Sequence, residues 1–349
     1  MSKEKIIKLI EQKNELNNND IKSFDDKNKI NKKFRRIEKL KAYEKNDKDK
    51  LNYQIKECYL KEIKIINEKN KYVNSVSIFP SGNIIIASSD KSLKIFDFNF
   101  NILQNIENAH NDSITYVSIK DENNFVTCSF DNSIKTWIKY MNKFKVNINI
   151  INAHYNCINK VIYFSNGNLI SCSNDKTIKI WEENYNIYQS VTILNHLDIV
   201  CSILLIEDKN KLITSGLDGT KILKINNFEL IKYYKESDIS IWIELCRIDE
   251  DKIIIGGYKS MKIISLSQEK IVKKIKISFN CLAITMIKNK GLFFVGGNSK
   301  KIMIYRNDNY ECIQIINNEQ NKDINGFIEL KNDLIVSFSD DNIIKIWSF

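Results

Sequence analysis

The chain's 349 residues suffice for one large domain with a tail or for two ordinary domains, and a hydrophobic fraction of 43% supplies a sizeable core. No stretch approaches the roughly 18 uninterrupted apolar residues that span a bilayer, and the start, MSKEKIIKLIEQ, lacks the apolar run and cleavage site of a signal peptide. Membrane insertion and secretion are therefore not expected, and the net charge of +10 includes only four arginines (Arg35, Arg36, Arg247, Arg306), a weak signal for phosphate binding.

Residues 1–50 carry no strand pattern and hold +6 of the net charge. Ile6, Ile7, Leu9 and Ile10 share one helical face, as do Ile30, Phe34, Ile37 and Leu40, with an Asn/Asp-rich break at 17–28 between them. A short helical or flexible tail is expected, either solvated on the side of the domain or used for docking and self-association. A coiled coil is a further alternative, although two heptads are few.

From residue 58 onward the pattern changes to short β-strands. Seven nine-residue windows align: SSDKSLKIF (88–96), SFDNSIKTW (129–137), SNDKTIKIW (173–181), GLDGTKILK (216–224), GYKSMKIIS (257–265), GNSKKIMIY (297–305) and SDDNIIKIW (339–347). Their starts lie 41, 44, 43, 41, 40 and 42 residues apart, so each period is one supersecondary unit. Within a unit, a β-branched run leads to a small residue, a tight polar turn and an alternating strand. Upstream hairpin signals stand at Ser81-Gly82-Asn83 and Asn166-Gly167-Asn168, where both central residues are expected to tolerate positive φ. The single proline, Pro80, lies in a turn, so no strand is interrupted. Four antiparallel strands per period are expected.

The windows resemble the WD-repeat (WD40) family, and the resemblance covers residues 58–349. His110, Ser129, Asp131 and Trp137 match that family's structural tetrad, as do His154, Ser173, Asp175 and Trp181. Other units depart from it. The first has Lys69 in the histidine slot and Phe96 for tryptophan, and the fourth keeps only His196 and Asp218. Lys259 and Ser299 replace aspartate in the fifth and sixth, and the seventh pairs Gln320 with a retained Asp341 and Trp347. The resemblance implies an all-β, seven-bladed propeller. Because the last window ends at Phe349, the seventh blade lacks an outer strand, an exposed edge that proteins usually avoid. Residues 58–66 have the spacing of an outer strand with no blade before them, and are expected to pair with Ile343 to Phe349.

Little is left over for chemistry. All three histidines (His110, His154, His196) occupy the same repeat position, so catalytic and metal roles are not expected, and no phosphate-cradling glycine loop calls for a cofactor. The eight cysteines contain no CxxC pair and read as small buried hydrophobes of a reducing compartment, the cytoplasm or the nucleus. Trp242 is the one tryptophan outside the windows. It is either a partner-binding anchor or packed between blades, and Phe130, Tyr155, Asp198, Tyr258 and Asn298 map to the same end of the blades. The expected function is a non-enzymatic scaffold or adaptor for protein or peptide partners, narrower versions including a substrate receptor of a ubiquitin ligase. The alternative is binding of RNA or ribonucleoprotein, which rests on charge alone.

Overall fold

The computed structural model describes residues 61–67, 72–235, 244–317, 322–330, 333–341 and 343–349. The chain divides between Tyr59 and Leu60, and the described residues all belong to the second unit. They form seven four-stranded antiparallel sheets, the blades of a propeller.

Blade 1 consists of β2 (Val73–Ile78), β3 (Ile84–Ser88), β4 (Leu93–Phe96) and β5 (Ile102–Ile106), from the innermost strand outward. Blade 2 holds β6 (Ile114–Ile119), β7 (Asn124–Ser129), β8 (Ile134–Tyr140) and β9 (Lys143–Ile150). Blade 3 holds β10 (Ile158–Tyr163), β11 (Leu169–Ser173), β12 (Thr177–Asn184) and β13 (Ile187–Asn195). Blade 4 comprises β14 (Val200–Ile206), β15 (Lys211–Gly216), β16 (Gly219–Lys224) and β17 (Leu230–Lys235). Blade 5 comprises β18 (Leu245–Arg247), β19 (Lys252–Gly257), β20 (Ser260–Ser265) and β21 (Lys270–Lys276). Blade 6 is built from β22 (Cys281–Ile287), β23 (Leu292–Gly297), β24 (Ile302–Arg306) and β25 (Cys312–Ile316). Blade 7 draws β26 (Ile324–Glu329), β27 (Leu334–Ser339) and β28 (Ile343–Ser348) from the C-terminus, and takes its outer strand, β1 (Lys61–Asn67), from the other end of the chain. That strand runs antiparallel to β28 from Lys61 opposite Ser348 to Asn67 opposite Ile343, which is the closure expected from the repeat spacing. An ion pair of 2.7 Å between Glu62 and the largely buried Lys345 joins the two strands across the chain ends.

The hairpin at Asn166-Gly167-Asn168 differs from expectation in detail. Only the glycine has positive φ (95°), with its N–H donating to the Phe164 carbonyl, and Gly82 (97°) repeats the arrangement in blade 1. A three-residue loop needs one such residue, whereas a two-residue loop of type I′ needs two. The two-residue form occurs instead between β8 and β9, at Met141 and Asn142 (47° and 63°), and between β12 and β13, at Tyr185 and Asn186 (51° and 61°).

The core lies between blades. Phe79, Ile85, Leu93 and Ile95 of blade 1 pack on Ile114, Val117, Phe125 and Trp137 of blade 2. Equivalent clusters join each blade to the next as far as blade 6, and Ile84, Ile86 and Phe96 meet Val336, Phe338 and Ile346 to join blade 7 to blade 1. Between blades 6 and 7, Phe294 lies 5.8 Å from Phe327. Each fully buried aliphatic or aromatic side chain contributes about 1.5–3 kcal/mol, so the ring is held chiefly by these seams.

Hydrogen bonds add direction to part of the ring. Near the start of β2, β6, β10 and β26 a bulge leaves one residue unpaired, and its side chain reaches the next blade. Asn325 donates to the Val73 carbonyl (3.0 Å), Asn74 to Ile114 (2.8 Å), Thr115 to Ile158 (2.6 Å) and Asn159 to Val200 (2.7 Å). The bulge of blade 6 carries Leu282, which has no donor, and Thr285 bonds the Phe327 carbonyl instead (2.9 Å). In the ring's interior the buried Lys160 of blade 3 reaches past blade 4 to Glu244, just before β18 (3.1 Å), and touches Ser202 on the way (3.2 Å). Its ammonium also lies 5.0 Å from the centre of the Tyr116 ring. Burial alone would lower the Lys160 pKa, but the Glu244 carboxylate outweighs it and holds the ammonium above its ordinary range.

Candidate protein-binding face

At one end of the ring, the loop leading into each blade meets the turn joining that blade's second and third strands. In blade 2 that turn is an Asx turn. The Asp131 carboxylate accepts the Ser133 N–H (2.9 Å) and hydroxyl (2.6 Å), and Asn132 takes a φ of 65°. The same carboxylate receives His110 Nδ1 at 3.1 Å and the backbone N–H of Asn111 at 2.8 Å, which pins the loop onto the turn. On its far side, His110 Nε2 meets Thr127 Oγ1 (2.8 Å), which also accepts the Trp137 indole N–H (2.9 Å). Blade 3 repeats the chain of contacts through Asp175, His154, Ser171 and Trp181 at 2.8, 2.7 and 2.9 Å.

The hydroxyl joining histidine to tryptophan is therefore Thr127 or Ser171, and not Ser129 or Ser173 as the window alignment implied. Ser129 and Ser173 lie two residues further along the strand, where the turn begins. Each donates to a loop carbonyl (Asp112 and Asn156, both 3.0 Å) and accepts the N–H of the turn aspartate. Strand periodicity places residues i and i+2 on the same face, so the sequence offered two equivalent hydroxyls. Only the distance to the buried imidazole separates them.

Burial lowers the pKa of His110, His154 and His196, against the opposing pull of their aspartates. For Asp131 and Asp175, burial acts to raise the pKa, but hydrogen bonds from the histidine and the turn hydroxyl outweigh it and hold both carboxyls below the carboxylate range. The imidazoles are thus enclosed, fully engaged and short of protons, a structural assignment. Among the described residues, no group of His, Cys, Asp and Glu could hold a metal ion.

The network also has a presenting effect. Each turn aspartate takes the N–H of the residue after the histidine: Asn111 in blade 2, Tyr155 in blade 3 (3.0 Å) and Leu197 in blade 4 (2.9 Å). With its backbone held down and its histidine neighbour turned inward, that residue points into solvent. Tyr155 is 92% exposed and Leu197 77% exposed. A lysine on the third strand supports each loop from beneath. Lys135 donates to the Ala109 carbonyl (2.7 Å), Lys179 to Ala153 (2.7 Å) and Lys221 to Asn195 (2.9 Å). The Lys179 ammonium stands 5.4 Å from the centre of the Tyr155 ring.

The other residues singled out from the sequence are spread around this end. Phe130 is exposed on the blade 2 turn, and its N–H bonds to the Ser113 carbonyl. Asp198 follows Leu197, caps the Ile199 N–H (2.8 Å) and pairs with Lys176 (3.7 Å). Tyr258 and Asn298 are exposed on the turns of blades 5 and 6, apart from the others, and Asn298 accepts the Asn280 N–H (2.9 Å). Tyr155, Leu197, Asp198 and Phe130 thus sit on the consecutive blades 2–4. Leu197 and the exposed Ile151 were not anticipated. The available signal was position, since Tyr155 and Leu197 are the residues following a histidine. Trp242, Lys69, Gln320 and the helical pattern in residues 1–50 lie outside the described residues.

A family model described as WD domain, G-beta repeat matches residues 60–97, 101–137 and 145–182. No curated protein matches the chain. Each matched segment begins within two residues of the start of one blade's outer strand and runs into the third strand of the next blade (β1–β4, β5–β8 and β9–β12), so the sequence repeat is staggered by one strand against the blade. That stagger is what leaves an orphan outer strand at the start of the domain to close the ring. With three matched repeats and seven sheets of one strand order, the chain carries WD repeats and folds as a seven-bladed β-propeller.

Proposed function

We propose that this propeller is a protein-interaction scaffold that holds a protein or peptide partner on the loops leading into blades 3 and 4. One observation carries the reading: Tyr155 and Leu197, a large aromatic and a large aliphatic, are turned into solvent by the same two aspartates that bury the histidines. An exposed apolar pair on a rigid support is the usual make-up of an interface anchor, because little conformational entropy is lost on binding. Enclosure of all three histidines in structural networks argues for binding rather than catalysis on this face. We place the protein in a reducing compartment, the cytoplasm, a reading supported by cysteines used as core atoms. Burial pushes the Cys128 thiol up to about 12, far from a reactive thiolate.

The test is affinity purification of the tagged, full-length protein beside its Tyr155→Ala/Leu197→Ala variant. Both side chains are exposed, so the variant should melt at the wild-type temperature and lose its principal partner. Recovery of the same partners in the same yield would overturn the assignment.

A further inference from the structure

Besides the loop face, the ring presents the free edges of its outer strands, and these edges differ sharply in charge. Strands β5, β13 and β25 contain no lysine, whereas β17 (LIKYYK) and β21 (KIVKKIK), on neighbouring blades, carry six lysines and no acid. The nearby acids are committed elsewhere: Glu229 pairs with Lys224 (2.6 Å) and Glu269 with Lys211 (3.4 Å). Among the described residues, Lys232, Lys235, Lys270, Lys273 and Lys276 have no acidic partner, and all five are exposed. Edge protection by charge is a common device, but here it does not explain the pattern. The longest outer strand, β13, exposes Ile187, Val191 and Ile193 with no lysine at all.

We propose that the edge of β21 is a second docking site, for an extended acidic peptide segment that adds as a fifth strand to blade 5. Three observations favour that occupant. Among the described strands β21 bonds only to β20, so its outer backbone groups are open to pairing. The register with β20 sets Lys270 and Lys273 on one face and Ile271, Lys274 and Lys276 on the other, with Val272 at the bulge between them (Ile271 44% and Val272 41% exposed). That suits a partner that sets acidic residues against the lysines and apolar ones against Ile271 and Val272. Residues 270–276 contain neither arginine nor an aromatic ring, the side chains that nucleic acid recognition would call for. This site is independent of the loop face and does not rest on its assignment.

The probe is a short fluorescent peptide alternating glutamate with valine, titrated by anisotropy into the full-length protein. Triple reversal (Lys270→Glu, Lys273→Glu, Lys276→Glu) should weaken binding by roughly tenfold or more, as the lysines of whichever face meets the glutamates become repulsive and the edge loses its positive charge. Methylation of alternate backbone nitrogens should weaken the peptide by a similar factor, since its strand pairing is then blocked. The Tyr155→Ala/Leu197→Ala variant should bind the peptide unchanged. Should the reversed protein fail to fold, the Lys→Gln triple variant is read in its place and should lose several-fold. Equal affinity of the charge variant, equal affinity of the methylated peptide, or displacement by poly-uridine RNA more readily than by unlabelled peptide would each overturn the proposal.

Discussion

Blades 2 and 3 fill their network positions with polar side chains, whereas blade 6 fills the same positions almost entirely with apolar ones. In blade 6, Ile277 occupies the histidine slot, its N–H bonding Lys259 of the preceding turn (3.0 Å) as that of His196 bonds Lys176 (2.9 Å). Val295 replaces Thr127, and Tyr305 replaces Trp137. The ring packing survives the exchange: Trp137 stacks on Phe125 at 5.5 Å, and Tyr305 on Phe293 at 5.1 Å. The backbone of a blade evidently does not require the hydrogen-bonded network. What the network contributes is a fixed loop and turn, together with an outward-facing residue after the histidine. The members have also changed together, as expected when a half-satisfied buried network costs more than an apolar core. One remnant is left, Ser299 in the aspartate slot, whose buried hydroxyl has no partner among the described residues.

Four measurements would break or sharpen this contrast. The largest effect is expected from His154→Ala, which takes one hydrogen bond each from the Asp175 carboxylate and Ser171 and leaves a cavity where the imidazole was. Urea unfolding should show a loss of about 2–4 kcal/mol, and a loss under ~1 kcal/mol would make the network ornamental. Thr127→Val keeps the shape but leaves both His110 Nε2 and the Trp137 N–H unpaired, and should cost about 1–3 kcal/mol by the same assay.

Acid should divide the ring in the same way. The three histidines of blades 2–4 have lowered pKa values, so below the ordinary value of about 6.5 the unfolded chain binds more protons than the folded one. Their stabilising contribution is complete above that pH and is lost as pH falls toward the folded values. The lowered carboxyls Asp131 and Asp175 add a further loss below about 4. Hydrogen exchange at pH 7 and 5 should show weakened protection in blades 2–4 and none in blade 6, which holds no histidine. Uniform loosening across the ring would refute the division. The smallest effect belongs to Ser299→Ala, which removes an unpaired buried hydroxyl. It should leave stability unchanged or raise it by up to about 1 kcal/mol, measured as a shift in melting temperature.

The repeat period, the strand alternation inside each unit and the missing outer strand of the last unit were all legible along the chain. Each of them is a local pattern of side-chain types at constant spacing, and the sharing of blade 7 between Lys61–Asn67 and Ile343–Ser348 follows from counting strands. The candidate site was only half legible. Histidine, aspartate and tryptophan announced themselves through rarity and position. Ser129 and Thr127 did not separate, because both sit on one strand face with equal hydrogen-bonding capacity, and only the distance to His110 decides between them. Contacts that skip a blade, such as Lys160 with Glu244, have no sequence signature, since nothing local distinguishes a lysine that will be buried from one that will be solvated. Exposure of Tyr155 and Leu197 was marked only by position, one residue after a histidine. It arises where the entry loop and the turn of one blade, 20 and 21 residues apart, are pinned by one carboxylate, and only the folded blade brings them together.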